Sequence, residues 1–426
     1  MQTHTNWFQR IQLNPRVSAR EKKIRIVLGT LFRRRQSTIS EIARISGFTV
    51  ATIAKTVALL EERSIVQGNP SKSRTGSGRK PVVYELNPSI LLTLGIDAGV
   101  TKLNFVVCDL FGKVIMQQSH PTSILDDRTT YVDALLNHFH EFFDSIPRVI
   151  SCRIAAFGVS VPGLVNQEKG ISLHSRGAVS LSSSQDVEIA SILSGKYGLP
   201  VFVNNNARTM ALGEVRFATG IGYQDICCIN VGFGIGIGMI LHGELITSEA
   251  FPTSGLAHLT ILPQGPKCHC GNYGCVEAFA GGYALIYSAI SSMQRPEGEE
   301  LRRIVNNRPD ALSSSTIASA ALKGDLLSRH IIDEAGRHLG IGISNLISLI
   351  NPEIVIIGGR VAHDLNTMFL ETIKNTIQKY ATSCFCRIPK IELSRLGIDA
   401  SAIGACAYAF EELLNQESLS FLKLED

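Results

Sequence analysis

Apolar side chains recur at helical spacing through the first sixty residues and at strand spacing in many of the segments that follow. In REKKIRIVLGTLFR (20–33), Ile24, Val27, Leu28 and Leu31 share one face and the basic residues the other, which predicts an amphipathic helix. Ser37 or Thr38 is placed to cap a short helix, TISEIARISG, that Gly47 ends through a left-handed C-terminal cap. Thr49 caps a third helix, TVATIAKTVALLEER, whose expected apolar stripe is Val50, Ile53, Val57 and Leu60. That stripe leaves Thr49, Ala51, Thr52 and Lys55 toward solvent. Two β-prone segments, 64–67 and 81–86, then flank a Gly/Ser-rich loop carrying Lys72, Arg74, Arg79 and Lys80.

Charge changes the meaning of this region. The 426 residues carry a formal +4, but residues 1–90 hold 16 Lys/Arg against 5 Asp/Glu, a net +11, leaving 25 against 32, a net −7, for the remainder. A compact basic module attracts polyanions, because each neutralised phosphate releases condensed counterions. Three short helices followed by a basic hairpin have the order of a winged helix-turn-helix. Thr49, Ala51, Thr52 and Lys55 suit base readout in a major groove, and Lys72, Arg74, Arg79 and Lys80 suit phosphate contacts by the wing. The expected partner is double-stranded DNA.

With 45% hydrophobic and 18% charged residues, 37 Gly and a mean hydropathy of +0.15, the composition is globular and excludes collagen-like or disordered classes. The most apolar stretch, Ile226 to Leu241, is interrupted by Asn230 and repeated Gly and alternates like a hairpin, so no membrane helix is expected. The first sixteen residues lack the apolar core of a secretory signal, which predicts a cytoplasmic chain.

From Leu91 to about Phe410, strand-like runs alternate with helical ones, the pattern of α/β architecture. LLTLGIDAGVTKLNFVVCDLFGKVI (91–115) and ICCINVGFGIGIGMILHGELI (226–246) are two copies of one strand–Gly turn–strand theme, predicting duplicated lobes that face a cleft. Such turns bring backbone N–H groups close to phosphate, with Asp97, Gly99, Thr101, Gly234 and Gly236 as the candidate residues. Between the copies and the C-terminus, Cys268, Cys270 and Cys275 fall within eight residues as C-x-C-G-x-x-G-C, with His258 ten residues upstream. Without a secretory signal this clustering argues for a metal rather than a disulfide. A Cys3His set predicts one structural zinc per chain, with no coordination position left for a catalytic water. His269 competes as the fourth ligand, but lying between two ligating cysteines it would point away.

These residues resemble the ROK family, named for repressors, open reading frames and kinases, over about 20–412. The motifs that carry the likeness are Ser77-Gly78-Arg79-Lys80-Pro81, Leu86-Asn87-Pro88, Asp97-Ala98-Gly99-Val100-Thr101-Lys102, Val161-Pro162-Gly163 and Ala211-Leu212-Gly213-Glu214. The zinc motif, Asn351-Pro352-Glu353 through Gly358-Gly359, and Leu396-Gly397 through Gly404-Ala405 complete the set. The resemblance implies a winged helix-turn-helix (1–88) followed by a two-lobed, actin-like, sugar-kinase-like (ribonuclease H-like) domain (89–426). It also implies an effector pocket that includes Asn205, Asn206, His258 and Glu277. Family kinases lack the helix-turn-helix, whereas family repressors have it.

Catalysis is a separate matter. Family kinases carry an Asp where this chain has Asn206, and an amide cannot take the sugar hydroxyl's proton. Val100 replaces the second Gly of the first turn, Phe233 replaces the Thr of the second, and Gly255 replaces a Glu that bonds sugar hydroxyls. The expectation is a non-enzymatic repressor of carbohydrate genes, with Asp97, Gly99, Thr101, Gly234 and Gly236 as remnants of a nucleotide site. It would be a homodimer or homotetramer on a palindromic operator, released by a sugar or sugar-phosphate that changes lobe closure. The alternative is an ATP-dependent sugar kinase with a DNA-binding appendage.

Overall fold

The computed structural model describes residues 17–70, 81–121, 128–173, 185–247, 253–381, 388–416 and 418–422, with Ile11 and Leu181. Helix α1 (Ala19–Arg34) starts at a capping box in which the Ser18 hydroxyl accepts from the Glu21 N–H and the Glu21 carboxylate accepts from the Ser18 N–H. A second box, Thr38 with Glu41, opens α2 (Ile39–Ser46), and Gly47 closes it in the left-handed conformation at φ 72°. Thr49 caps α3 (Val50–Glu62) by accepting from the Thr52 N–H at 3.2 Å. Strands β1 (Gln36–Ser37), β2 (Val66–Pro70) and β3 (Val82–Leu86) form an antiparallel sheet in the order β1-β3-β2. The three expected helices are therefore present, and the two expected strands lie at 66–70 and 82–86; the loop with Lys72, Arg74, Arg79 and Lys80 lies outside the described residues.

One expectation fails here. Val50 is 54% exposed, whereas Ile53, Val57 and Leu60 are buried and Thr56 fills the position beside them. The stripe continues by angle to Val50, but among the described residues the first turn of α3 leaves that side chain exposed.

The rest of the chain is a duplication. Strands β4 (Leu92–Ala98), β5 (Lys102–Cys108), β6 (Val114–Pro121), β7 (Ile154–Val161) and β10 (Val201–Asn205) form one five-stranded sheet. A second contains β11 (Ile226–Val231), β12 (Ile235–Leu241), β13 (Glu244–Leu245), β14 (Ile354–Gly358) and β15 (Lys390–Leu393). In both, the strand order by appearance is third, second, first, fourth, fifth, with the first three antiparallel and the last two added in parallel. Strands β8 (Leu164–Asn166) and β9 (Ile171–Leu173) make a separate hairpin. The first sheet is backed by α4 (Arg128–Ser145), with α5 (Arg148–Ser151) and α6 (Ile189–Tyr197) in its connections. The second lobe also contains α8 (Glu277–Ala280), α9 (Gly282–Ser292), α10 (Glu299–Ile304), α11 (Ser314–Leu322), α12 (Leu326–Ile350) and α13 (Arg360–Tyr380). Central strands such as β11 and β14 are buried along almost their whole length, which is why their sequences, ICCINV and IVIIG, are continuous apolar runs.

Helices α7 (Asn206–Phe217) and α14 (Ala400–Leu413) follow the last strand of each sheet and cross to the other one. Contact is so close that glycine is required. A Cβ on Gly95 or Gly158 would lie 2.0 Å from the carbonyl of Ala402 or Ala405, and one on Gly238 would lie 2.2 Å from that of Ala207. Between the two helices, a Cβ on Gly404 would meet the Thr209 carbonyl at 1.7 Å. All of α14 except Glu412 is buried.

Helix α1 docks onto this pair. The Phe32 ring lies 4.6 Å from that of Phe410, and the buried Arg25 donates to the Leu414 carbonyl. Glu411 accepts from Arg216 at 2.6 Å and from Arg33 at 3.4 Å, and Arg33 also reaches Glu244 at 2.8 Å. These arginines hold the Glu411 carboxyl below its ordinary value despite burial. Among the described residues, no helix is long and apolar enough to cross a membrane.

Gly404→Ala is expected to destabilise the protein by about 3 kcal/mol or more, since a backbone carbonyl must move. Gly195→Ala, in exposed helix with nothing near its Cβ, should instead stabilise it by about 0.5–1 kcal/mol. Thermal and denaturant unfolding of the two variants reads both; similar midpoints would refute the close-approach assignment.

Candidate functional site

Four potential metal ligands come together. His258, Cys268, Cys270 and Cys275 place their ligand atoms within 4.8 Å of one another. Cys268 Sγ lies 3.7 Å from His258 Nδ1, and Cys270 Sγ lies 3.8 Å from Cys275 Sγ. A tetrahedron with metal–sulfur bonds of ~2.3 Å and metal–nitrogen bonds of ~2.0 Å has edges of about 3.5–3.8 Å, so these are the separations of a metal site. They are far beyond a disulfide's ~2.05 Å. Gly271 and Gly274, at φ 96° and 69°, supply the left-handed turns that fold the thiolates inward. His269 lies outside the cluster, with its ring stacked on Tyr283 at 4.0 Å.

Beside the cluster runs a cleft of about 780 Å³ between the two sheets. Asp97, Gly99 and Thr101 line it from the first sheet's hairpin turn, and Gly234 and Gly236 from the second's. Asn205, Asn206, His258 and Glu277 line it as well, so the residues expected to form one site do share one cavity.

Their roles differ. Asn205 is satisfied by the backbone: its Oδ1 accepts from the Ala207 N–H at 2.9 Å, capping α7, and its Nδ2 donates to the Gly163 carbonyl at 2.8 Å. Asn206 begins α7, and its side chain has no hydrogen-bond partner among the described residues, so its amide is free to face the cleft. Glu277 braces the glycine turn, its Oε2 accepting from the Ile235 N–H at 2.8 Å, and a Cβ on Gly234 would lie 2.4 Å from that oxygen. Gly255 is exposed and offers no side chain.

On the first sheet, Tyr131 donates to the Gly99 carbonyl at 2.7 Å and fixes the turn. Burial pushes the Asp97 carboxyl up to about 7 against the opposing influence of Ser160 and Lys102, and its Oδ1 has no protein partner. Val100 and Phe233 both line the cleft. Sequence reasoning missed His269, Tyr283 and Arg360 as lining residues; the signal was Phe233, whose aromatic neighbours come from separate segments.

On the other module, Thr49, Ala51 and Lys55 are exposed. Thr52 is half-buried, with its hydroxyl 2.8 Å from that of Thr49. Val50 joins them on the accessible first turn.

Two lobes of identical topology, crossed helices and an interlobe cleft define a protein of the sugar-kinase-like class. Residues 93–412 match the ROK family, and the chain belongs to it. It is 30% identical to the xylose repressor of Caldicellulosiruptor bescii over 391 residues, which is 92% of this chain and 96% of that protein. It is 29% identical to the DNA-binding transcriptional dual regulator NagC of Escherichia coli, covering 88% of this chain and 89% of NagC. Among solved structures it is similar to a ROK family transcriptional regulator that is a homologue of E. coli Mlc, with TM-score 0.72, 25% identity and 95% and 99% coverage. It is also similar to a ROK family glucokinase of Streptomyces griseus solved with glucose and AMPPNP, with TM-score 0.66, 26% identity, and 75% and 99% coverage.

Proposed function

We propose that the protein is a sugar-responsive transcriptional repressor in which residues 1–88 bind double-stranded operator DNA and residues 89–426 bind the effector. The observation that carries this is the pairing of an accessible recognition helix with a kinase-like cleft whose proton acceptor is an amide. The repressor relatives match across both parts of the chain. Thr49, Ala51, Thr52 and Lys55 read bases in the major groove, and Lys72, Arg74, Arg79 and Lys80 hold phosphates. A homodimer or homotetramer presents two recognition helices to the two half-sites of a palindrome.

The effector, a sugar or sugar-phosphate, is held near Asn206, Glu277 and His258. It favours one closure of the lobes about α7 and α14. Because Glu411 ties α14 to both α7 and α1, a change in that crossing reaches the DNA-binding module directly. Release needs a difference of only a few kcal/mol in effector affinity between the two states.

The Cys3His cluster holds one structural zinc per chain. Protein purified without chelator should contain about one zinc, and Cys268→Ser should lose it with a large drop in thermal stability, because metal binding contributes directly to folding. A metal content well below one refutes this.

Operator affinity should fall steeply with salt. Arg79→Ala or Lys80→Ala should weaken all sequences alike, while Lys55→Ala or Thr52→Ala should cost about 1–3 kcal/mol on the operator and relax discrimination. Salt-insensitive binding, or unaltered discrimination in both helix variants, counts against the assignment.

Sugar phosphorylation should be absent. Loss of a general base removes about 10²–10⁴ in rate, and Val100 and Phe233 add bulk at the two glycine turns. A coupled nucleotide assay with a panel of sugars tests this: turnover by wild type overturns it, and Asn206→Asp alone should not create turnover.

A further inference from the structure

Helix α3 carries few of the side chains that read bases by hydrogen bonds. Between Thr49 and Glu62 the sequence has no Arg, Asn or Gln, the residues that pair bidentately with guanine or adenine, and Lys55 is the one cation. Thr49 Oγ1 accepts from the Thr52 N–H at 3.2 Å and lies 2.8 Å from Thr52 Oγ1, so of the two hydroxyl protons one is spent inside the turn. On the neighbouring hairpin, the side-chain amides of Gln67 and Asn69 both donate to Glu85, at 2.8 and 3.1 Å.

The helix presents alkyl surface instead. Val50 is 54% exposed, Ala51 and Ala58 are exposed, and Ala54 is half-buried. At about 100° per residue these four side chains fall within one arc of about 100°, with Lys55 at its border. Carboxylates are absent from Thr49 to Leu60 and gather at the far end, where Glu61 and Glu62 are exposed. A polyanion is therefore admitted at the first turns of α3 and repelled from the last one. Residues 1–90, with 16 Lys/Arg against 5 Asp/Glu, supply the attraction.

In the major groove of a duplex the bases show one apolar group, the 5-methyl of thymine. We propose that α3 reads thymine methyl groups and that Val50 is the residue that selects them. Its isopropyl group, flanked by the methyls of Ala51 and Ala54, covers a thymine methyl that water otherwise surrounds, and removing both surfaces from water is favourable. Cytosine has only a hydrogen at that position, so a T·A to C·G change leaves Val50 with nothing to cover. The inference rests on the reading of residues 1–88 as an operator-binding module and names the base which that module selects.

The test starts by enriching an operator from a random pool of duplexes with the full-length protein. Each thymine of the enriched duplex is then replaced in turn by deoxyuridine, which removes the methyl and keeps the base pairing. At one thymine or more, the replacement should weaken wild-type binding about fourfold, the worth of one buried methyl-sized group. Val50→Ala should bring that thymine-to-deoxyuridine ratio below about 1.5-fold while the salt dependence, which counts phosphates, stays as in wild type. Val50→Ile should preserve the ratio. Because Val50 is exposed, neither variant disturbs the core. A ratio of one at every thymine in wild type, or a ratio that Val50→Ala leaves unchanged, overturns the inference and leaves the repressor reading standing. If the pool yields no preferred sequence, the operator-binding reading falls and the inference falls with it.

Discussion

The crossing of α7 and α14 is the constraint on which the rest of the molecule depends. Each helix grows from one sheet and lies on the other, and glycines at Gly95, Gly158, Gly238 and Gly404 let backbone meet backbone without side chains between. Such an interface has few ways to repack, so relative lobe movement is a change in how two helices cross rather than a loosening of either lobe. The N-terminus of α7 is at the cleft, which Asn206 lines, and its C-terminal end carries Arg216 to the Glu411 network. One helix therefore spans from the cleft to the contact with α1.

The same scaffold separates architecture from chemistry. Turn residues Asp97, Gly99, Gly234 and Gly236 keep their places because the hairpins need them: Gly99 packs on the Lys102 carbonyl, and Gly236 on Ala207. Asn205 survives as the cap of α7, and Glu277 as the acceptor that closes the second turn. Asn206, Val100 and Phe233, three of the four departures from the pattern of the family's kinases, line the cleft itself.

Local signals made much of this legible in the sequence. Of the two expected caps, Ser37 or Thr38, it is Thr38 that opens the second helix, Gly47 closes it, and Thr49 opens the third, each through a hydrogen bond three or four residues away. The metal cluster was readable because its three cysteines lie within one turn-rich loop. Val50 was misread because periodicity reports angle around a helix and not whether a partner covers that turn. The docking of α1 on α14, the joint engagement of Arg33 and Arg216 by Glu411, and the convergence of Phe233, His269 and Tyr283 join segments tens to hundreds of residues apart. No spacing rule sees such contacts.

The burial of α1 against the last helix bears on how the chain is made. Ile24, Leu28 and Phe32 share one core with Tyr408, Phe410 and Leu414, so this N-terminal helix finds its partner only after nearly 400 further residues have been made. Contacts of such long sequence separation form late. A chain cut short by a premature stop thus leaves the apolar and Arg25-bearing face of α1 uncovered, fit for a protease or chaperone before it is fit for an operator.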